Sequence, residues 1–176
     1  MERSLPHSTR LYLRELSLSD LEVAYEMDAD PEVMQYIRPP AKNIEETREK
    51  MKKIIAYYRK YEGYGVWAGI EKETDTMVGW WILKSLPKSP FIEVGYRLRK
   101  QYWGNGYATE MTKALLEYGF LQLNLPEIVA VTDLENHASM RVLEKAGLVY
   151  LRNAFYYEST VTFYRIEREA WLAGNH

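Results

Sequence analysis

Cysteine is absent from this 176-residue chain. The absence excludes disulfides, metal–thiolate centres and thiol catalysis, and it suits a reducing compartment such as the cytoplasm. Histidine is scarce too: His7, His137 and His176 are far apart and lack the paired spacing of a metal site. We therefore expect no bound metal.

Long hydrophobic runs are also missing. No segment approaches the ~20 apolar residues that cross a bilayer, and the amino terminus, Met1 to Ser4, leads into no apolar signal core. These features predict a soluble, cytoplasmic protein with no membrane partner.

A large charge excess is lacking as well. The formal net charge is −2, whereas proteins that bind nucleic acids usually carry a positive excess to engage phosphates. The distribution is uneven, because acids dominate residues 20–50 and bases dominate residues 97–113. We expect no nucleic-acid partner, an anion near the basic segment and a cation near the acidic one.

The pattern of apolar residues predicts one mixed α/β domain, of the α+β type, over residues 1–176. Alternation predicts strands, and 3.6-residue periodicity predicts helices. The expected strands cover residues 11–16, 65–71, 77–84, 91–98, 128–132, 148–155 and 160–167. The expected helices begin near residue 19 and cover residues 44–61, 107–123 and 140–146.

A basic, glycine-bearing loop at residues 99–109 lies between a predicted strand and a predicted helix. Gly104 and Gly106 would let a phosphate approach the free N–H groups of the first helical turn. On this chemistry alone the ligand is a nucleoside triphosphate, a dinucleotide or coenzyme A. A loop that binds a nucleoside triphosphate usually has Lys followed by Ser or Thr after its second glycine. Here Tyr107 and Ala108 stand at those positions. A dinucleotide-binding loop requires a third Gly or Ala, and Thr109 stands at that position.

Three motifs together resemble the GNAT acyltransferases. They are Gln101-x-x-Gly104-x-Gly106-x-Ala108, then Asn136-x-x-Ser139, and then the sequence from Leu143 to Leu148. Two further segments, residues 93–96 and 102–104, are most similar to the branch that acetylates the N-termini of ribosomal proteins. The resemblance implies a single domain with a central mixed sheet of six to seven strands. That sheet would splay between its fourth and fifth strands, with helices on both faces.

The resemblance also implies acetyl coenzyme A as the cofactor. Its pyrophosphate would lie on the loop N–H groups and its pantetheine arm along the fourth strand, where Gly95 would form a bulge. The expected cofactor-binding residues are Val94, Tyr96, Arg97, Leu98, Arg99, Gln101, Gly104, Asn105, Gly106, Tyr107, Ala108, Asn136 and Ser139.

An N-acetyltransferase of this family joins a primary amine to the acetyl group by direct attack in one ternary complex. Many members supply a tyrosine to protonate the leaving thiolate, but Leu143 stands at that position, so Ser139 is the expected donor. A backbone N–H of Val94 or Gly95 would stabilise the oxyanion.

Glu93 is the expected general base, acting directly or through water. It falls on a central strand, where an unpaired carboxylate is costly and proton uptake is favoured. The alternative is an ordinary ion pair with a lysine or arginine.

The acceptor is expected to be a protein or peptide N-terminus, or a small amine. The residues expected to contact it are Asp28, Glu32, Tyr36 and Trp80. An alternative function is a non-catalytic coenzyme A-binding sensor or partner protein. The chain is expected to be a monomer or a homodimer.

Overall fold

A computed structural model describes residues 4–174, and its centre is one seven-stranded sheet. The strands are β1 (Leu11–Glu15), β2 (Gly65–Glu71), β3 (Thr76–Ser85), β4 (Ile92–Leu98), β5 (Glu127–Asp133), β6 (Val149–Tyr156) and β7 (Ser159–Glu167). Their spatial order is β1-β2-β3-β4-β5-β7-β6. All neighbours are antiparallel except β4 and β5.

The helices are α1 (Leu21–Ala29), α2 (Pro31–Met34), α3 (Ile44–Lys60), α4 (Tyr107–Leu121), α5 (His137–Lys145) and α6 (Arg168–Gly174). The sequence analysis did not anticipate α2 or α6. Helix α2 begins at Pro31, whose missing N–H costs nothing there, and the Asp30 carboxylate accepts from the N–H groups of Glu32 and Val33. Helix α5 begins earlier than expected because Asn136 caps it.

The sheet opens between β4 and β5, as the predicted fold requires. Glu93 and Val129 form the one register pair between these parallel strands, so the strands separate beyond Glu93. The bulge expected at Gly95 is wrong, because β3 and β4 keep an unbroken register from the Gly79–Leu98 pair to the Ser85–Ile92 pair. Divergence of β5 alone therefore creates the gap between the two strands.

Helices cover both faces of the sheet. Helices α4 and α5 pack on one face around Trp81, Val94 and Met111, and helices α1 and α3 pack on the other around Met27 and Trp80. Near the end of α4, Leu121 is half exposed, whereas Phe120 is fully buried in the core. Within residues 4–174, no helix is long and apolar enough to cross a membrane.

Candidate active site

A row of free backbone N–H groups precedes and begins α4. Gly104 and Gly106 have positive φ angles of 75° and 79°, which turn the chain before the helix. The first helical N–H to find a backbone acceptor is that of Glu110, which donates to the Gly106 carbonyl at 3.1 Å. Across the described chain, the N–H groups of residues 104–109 have no acceptor. Together with the positive end of the helix dipole, they form a cradle suited to a phosphate group.

Arg10, which the sequence analysis missed, fixes the shape of this loop. Its Nη2 donates to the Asn105 carbonyl at 2.8 Å, and its guanidinium lies 4.3 Å from the centre of the Tyr107 ring. Its Nε donates to Oε2 of Glu110, also at 2.8 Å. Nothing local in the sequence indicates this role, because Arg10 reaches the loop from the start of β1, 100 residues before Glu110.

The other basic residues near the loop are paired. Arg99 Nη2 lies 2.8 Å from Oε2 of Glu26, and Gln101 Nε2 donates to Oε1 of the same residue at 3.4 Å. Lys100 pairs with Glu32 on the surface. These contacts join the glycine-bearing loop at residues 99–109 to α1 and α2.

Backbone groups of β4 face the gap in an alternating pattern. The Arg99 N–H donates to the Val78 carbonyl at 2.9 Å, so Arg99, Arg97, Gly95 and Glu93 direct their peptide groups toward β3. Val94, Tyr96 and Leu98 therefore direct theirs toward the gap. The Glu93–Val129 pair engages the Val94 N–H, and the Gly95 N–H is directed toward β3, so neither expected oxyanion donor is free in the gap. The next N–H that faces the gap is that of Tyr96.

Tyr96 and Ser139 meet on the α5 side of the gap. Burial raises the pKa of the Tyr96 hydroxyl, and the neighbouring Ser139 side chain offsets part of this rise. Ser139 lies in the first turn of α5, and its N–H donates to Oδ1 of Asn136 at 3.1 Å. Asn136 thereby holds Ser139 in place, while Leu143 is buried in the core.

Glu93 lies on the opposite face of β4, only 6% exposed. Its Oε1 accepts hydrogen bonds from Lys84 Nζ, at 3.0 Å, and from the Tyr157 hydroxyl. Burial and the Glu93 charge raise the pKa of Tyr157 above its ordinary range, so this phenol remains a donor. Among the described residues, Oε2 of Glu93 accepts no hydrogen bond. Glu93 thus forms the ion pair that was the alternative interpretation, and among the described residues one carboxylate oxygen stays free.

The residues expected to contact the acceptor do not form one cluster. Asp28 is buried and pairs with Lys50 and Arg97. Trp80 is buried beneath the same two cations, at 4.7 and 4.8 Å from its ring centre. Glu32 pairs with Lys100, and Tyr36 is 37% exposed.

The family described as acetyltransferase (GNAT) domain matches residues 10–149. The chain belongs to this family. It is 29% identical to an Aspergillus fumigatus protein named FsC-acetyl coenzyme A-N(2)-transacetylase, over 94% of this chain and 77% of that one. The fold also matches an acetyltransferase from Agrobacterium tumefaciens with a TM-score of 0.81 and 26% identity, covering 95% of this chain and 97% of the other.

A third match is RimL, a ribosomal L7/L12 alpha-N-protein acetyltransferase solved with coenzyme A. The TM-score is 0.79 at 19% identity, and the match covers 96% of this chain and 99% of that one. As a GNAT acetyltransferase, the chain is an acetyl-CoA-dependent acyltransferase.

The residues present fit acetyl coenzyme A. The free N–H groups of residues 104–109 match the needs of a pyrophosphate, and a Cβ added at Gly104 would meet nothing within 4 Å. The N–H and C=O groups of Tyr96 match those of an amide-bearing arm, which would pair with β4 as an added strand does.

Proposed function

We propose that this chain acetylates a primary amine by direct attack on acetyl coenzyme A in one ternary complex. The acceptor is the α-amine of a protein or peptide, or a small amine of similar basicity. The observation that carries the proposal is the position of Glu93, where β4 and β5 separate. A carboxylate at that point lies beside the opening through which the thioester is reached.

Glu93 is the residue we assign to the acceptor amine. Lys84 and Tyr157 fix Oε1 and leave Oε2 free to accept a proton, directly or through water. The fixed carboxylate orients the amine without reorganising during the reaction, and it stabilises the positive charge that forms on the nitrogen.

Acetyl coenzyme A supplies the thioester carbonyl and a thiolate leaving group. The Tyr96 N–H is directed into the gap beyond the Glu93–Val129 pair, and it is the candidate donor to the oxyanion. Ser139 and Tyr96 bring two hydroxyls together on the α5 side, and we assign Ser139 as the proton donor to the thiolate. Tyr96 keeps Ser139 in position.

Two observations favour an α-amine. The Aspergillus relative is named for an N(2) position, and the RimL match for an alpha-N position. An α-amine with a pKa near 7.8 is roughly 30% neutral at pH 7.4, whereas a lysine amine near 10.4 is only about 0.1% neutral. An α-amine therefore needs little help with deprotonation, and Glu93 then acts on it mainly by orienting the amine and stabilising its developing positive charge.

The test compares three hexapeptides in a thiol-release assay with acetyl coenzyme A. One has a free N-terminus and no lysine, one has a blocked N-terminus and one lysine, and one is blocked without lysine. We expect acetylation of the first alone, located by mass spectrometry, and loss of most of that turnover in Glu93→Gln. Glu49→Gln, at an exposed ion pair on α3, is the matched control. Full activity of Glu93→Gln on the α-amine at every pH would exclude the assigned role.

A further inference from the structure

A buried charge cluster lies on the α1 and α3 side of the sheet. Asp28, from α1, accepts hydrogen bonds from Lys50 of α3 and from Arg97 of β4, the latter at 2.5 Å. Thr47 also donates to Asp28, at 2.9 Å. The side chains of Asp28, Lys50 and Arg97 are 3%, 21% and 10% exposed, so the charges are largely withdrawn from water.

The charges in this cluster do not balance. One carboxylate faces two cations, and the Arg38 guanidinium is near enough to depress the pKa values of both Lys50 and Arg97 further, although burial is the larger cause. Burying an unmatched charge is costly, and the binding of a counter-ion relieves that cost.

Hydrogen-bond donors are in excess as well. Arg97 Nε and Trp80 Nε1 are buried, and neither has an acceptor among the described residues. Among residues 4–174, the Arg97 side chain makes one hydrogen bond, through Nη1, although a guanidinium carries five N–H donors. The cluster therefore lacks both negative charge and acceptor oxygens, which are the two things that a carboxylate or phosphate supplies.

The cluster shares one face of β4 with Glu93. In the register of β3 and β4, the pairs Lys84–Glu93, Ile82–Gly95 and Trp80–Arg97 follow one another on this face. Gly95 and Ile82 are partly exposed although they lie mid-sheet. They lie between Glu93 and Arg97 on this face. Glu93 and Arg97 are four positions apart along β4, which corresponds to about 13 Å in an extended strand.

We infer that the acceptor carries an acidic group as well as its amine, and that Lys50 and Arg97 bind this group while Glu93 receives the amine. The inference rests on the proposed function and specifies its substrate class. In an extended peptide, each residue adds about 3.3 Å. The acidic group then belongs to the third or fourth residue, or to the far end of a small amine of equal length.

The test uses amidated pentapeptides with a free N-terminal serine and alanine elsewhere. A single Asp is moved through positions two to five, and each peptide has a partner with Asn at the same place. Small amines with and without a terminal carboxylate form a second arm that separates peptide from metabolite acceptors. We expect kcat/KM for Asp peptides to exceed that for Asn partners by about tenfold or more at positions three or four, mainly through KM.

Two variants decide the role of the cluster. Lys50→Gln removes the more exposed cation and is expected to reduce the Asp-over-Asn ratio several-fold. Lys52→Gln, which removes a surface charge from the same helix, is expected to leave the ratio intact. If Lys50→Gln fails to fold, the wild-type ratio still decides, because equal kcat/KM for Asp and Asn peptides at every position overturns the inference.

Failure of the proposed function has a different signature. If no peptide or small amine is acetylated, calorimetric binding of the Asp and Asn peptides to the coenzyme A complex is measured instead. Tighter binding of the Asp peptide supports the anion site without turnover, and equal binding overturns it. If turnover occurs and the Asn peptides are preferred, the proposed function stands and the anion site is excluded.

Discussion

The Tyr157 hydroxyl donates a hydrogen bond to Oε1 of Glu93, although the two residues are 64 positions apart. Tyr157 occupies the two-residue turn between β6 and β7, where it and Glu158 have positive φ angles of 53° and 61°. Such a turn normally contains Asn or Gly, and each left-handed residue with a side chain costs about 1–2 kcal/mol. The strained turn and the contact to Glu93 together indicate that Tyr157 serves the site.

Tyr157→Phe is expected to lower kcat several-fold while the free energy of unfolding changes by less than about 1 kcal/mol. The reason is that Lys84 alone then holds the Glu93 carboxylate, which becomes free to rotate. Steady-state kinetics and a urea titration measure the two quantities. Tyr150→Phe removes a hydroxyl that bonds only Asn153 on β6, so it serves as the control. Equal kinetics in the two variants would remove Tyr157 from the site.

Ser139→Ala is expected to reduce kcat by about tenfold or more, and to change the affinity for coenzyme A much less. Loss of the hydroxyl removes the proposed proton donor, while the cradle at residues 104–109 is untouched. Single-turnover kinetics and calorimetry with coenzyme A separate the two effects. Tyr96→Phe is expected to give a smaller loss of kcat, since Tyr96 acts through Ser139. Unchanged turnover in Ser139→Ala would disprove the donor role.

Gly104→Ala is expected to weaken coenzyme A binding at a cost in stability of about 1 kcal/mol. The new methyl group meets no protein atom within 4 Å, so the stability cost comes from the positive φ alone, but the methyl projects from the loop proposed to hold the pyrophosphate. Gly63→Ala is a matched control, because Gly63 has a φ of 86° and lies outside that loop. Calorimetry with coenzyme A is expected to show weaker binding for Gly104→Ala alone.

Alanine substitution is expected to affect stability at one of two glycines on neighbouring strands and acceptor binding at the other. A Cβ at Gly79 would lie 2.2 Å from the Arg97 carbonyl oxygen, which is backbone and cannot rotate away, so Gly79→Ala costs about 3 kcal/mol or more. A Cβ at Gly95 would lie 3.7 Å from Ile82, an ordinary contact. Gly95→Ala is therefore expected to fold normally and to raise KM for the acceptor, because the added methyl group lies between Glu93 and Arg97 on the face proposed to bind it. Thermal melts and acceptor titrations measure both.

Local signals predicted the elements and the cofactor loop. The strand and helix patterns, and the glycines at 104 and 106, depend on residues close in sequence. The opening of the sheet between β4 and β5 was predicted from the resemblance of these local motifs to the GNAT family. The bulge at Gly95 was wrong because an interior glycine indicates room for a close neighbour without saying which strand moves away.

Long-range pairing could not be read from the chain. Arg10 and Tyr157 reach Glu110 and Glu93 from distant segments, and no spacing rule connects them. The acidic stretch around Asp28 suggested a site for a cation. Lys50 and Arg97 instead surround Asp28, and the sign of the local charge depends on this tertiary contact.

The pH dependence of stability tests the environment of Lys50. Burial, followed by the nearby Arg97, lowers the pKa of Lys50 to about 8, although Asp28 acts in the opposite direction and Arg38 adds to the decrease. The uncharged Trp80 ring is the remaining neighbour. Between pH 8 and 10.5 the unfolded chain therefore binds more protons at this residue than the folded chain. The unfolding free energy then rises with pH through that window.

The wild type is compared with Lys50→Gln, so that contributions of all other groups cancel. From pH 7 to pH 9.5 the wild type is expected to gain about 2 kcal/mol of unfolding free energy relative to the variant. Denaturant titrations at the two pH values measure the difference, and Lys52→Gln is expected to show no such gain because its partner Glu49 lies on the surface. A difference that is constant with pH would mean that Lys50 keeps an ordinary pKa.

An acidic acceptor would supply the missing counter-charge, so its binding near pH 8 is expected to be accompanied by proton uptake. Calorimetry in two buffers of different ionisation enthalpy measures this uptake.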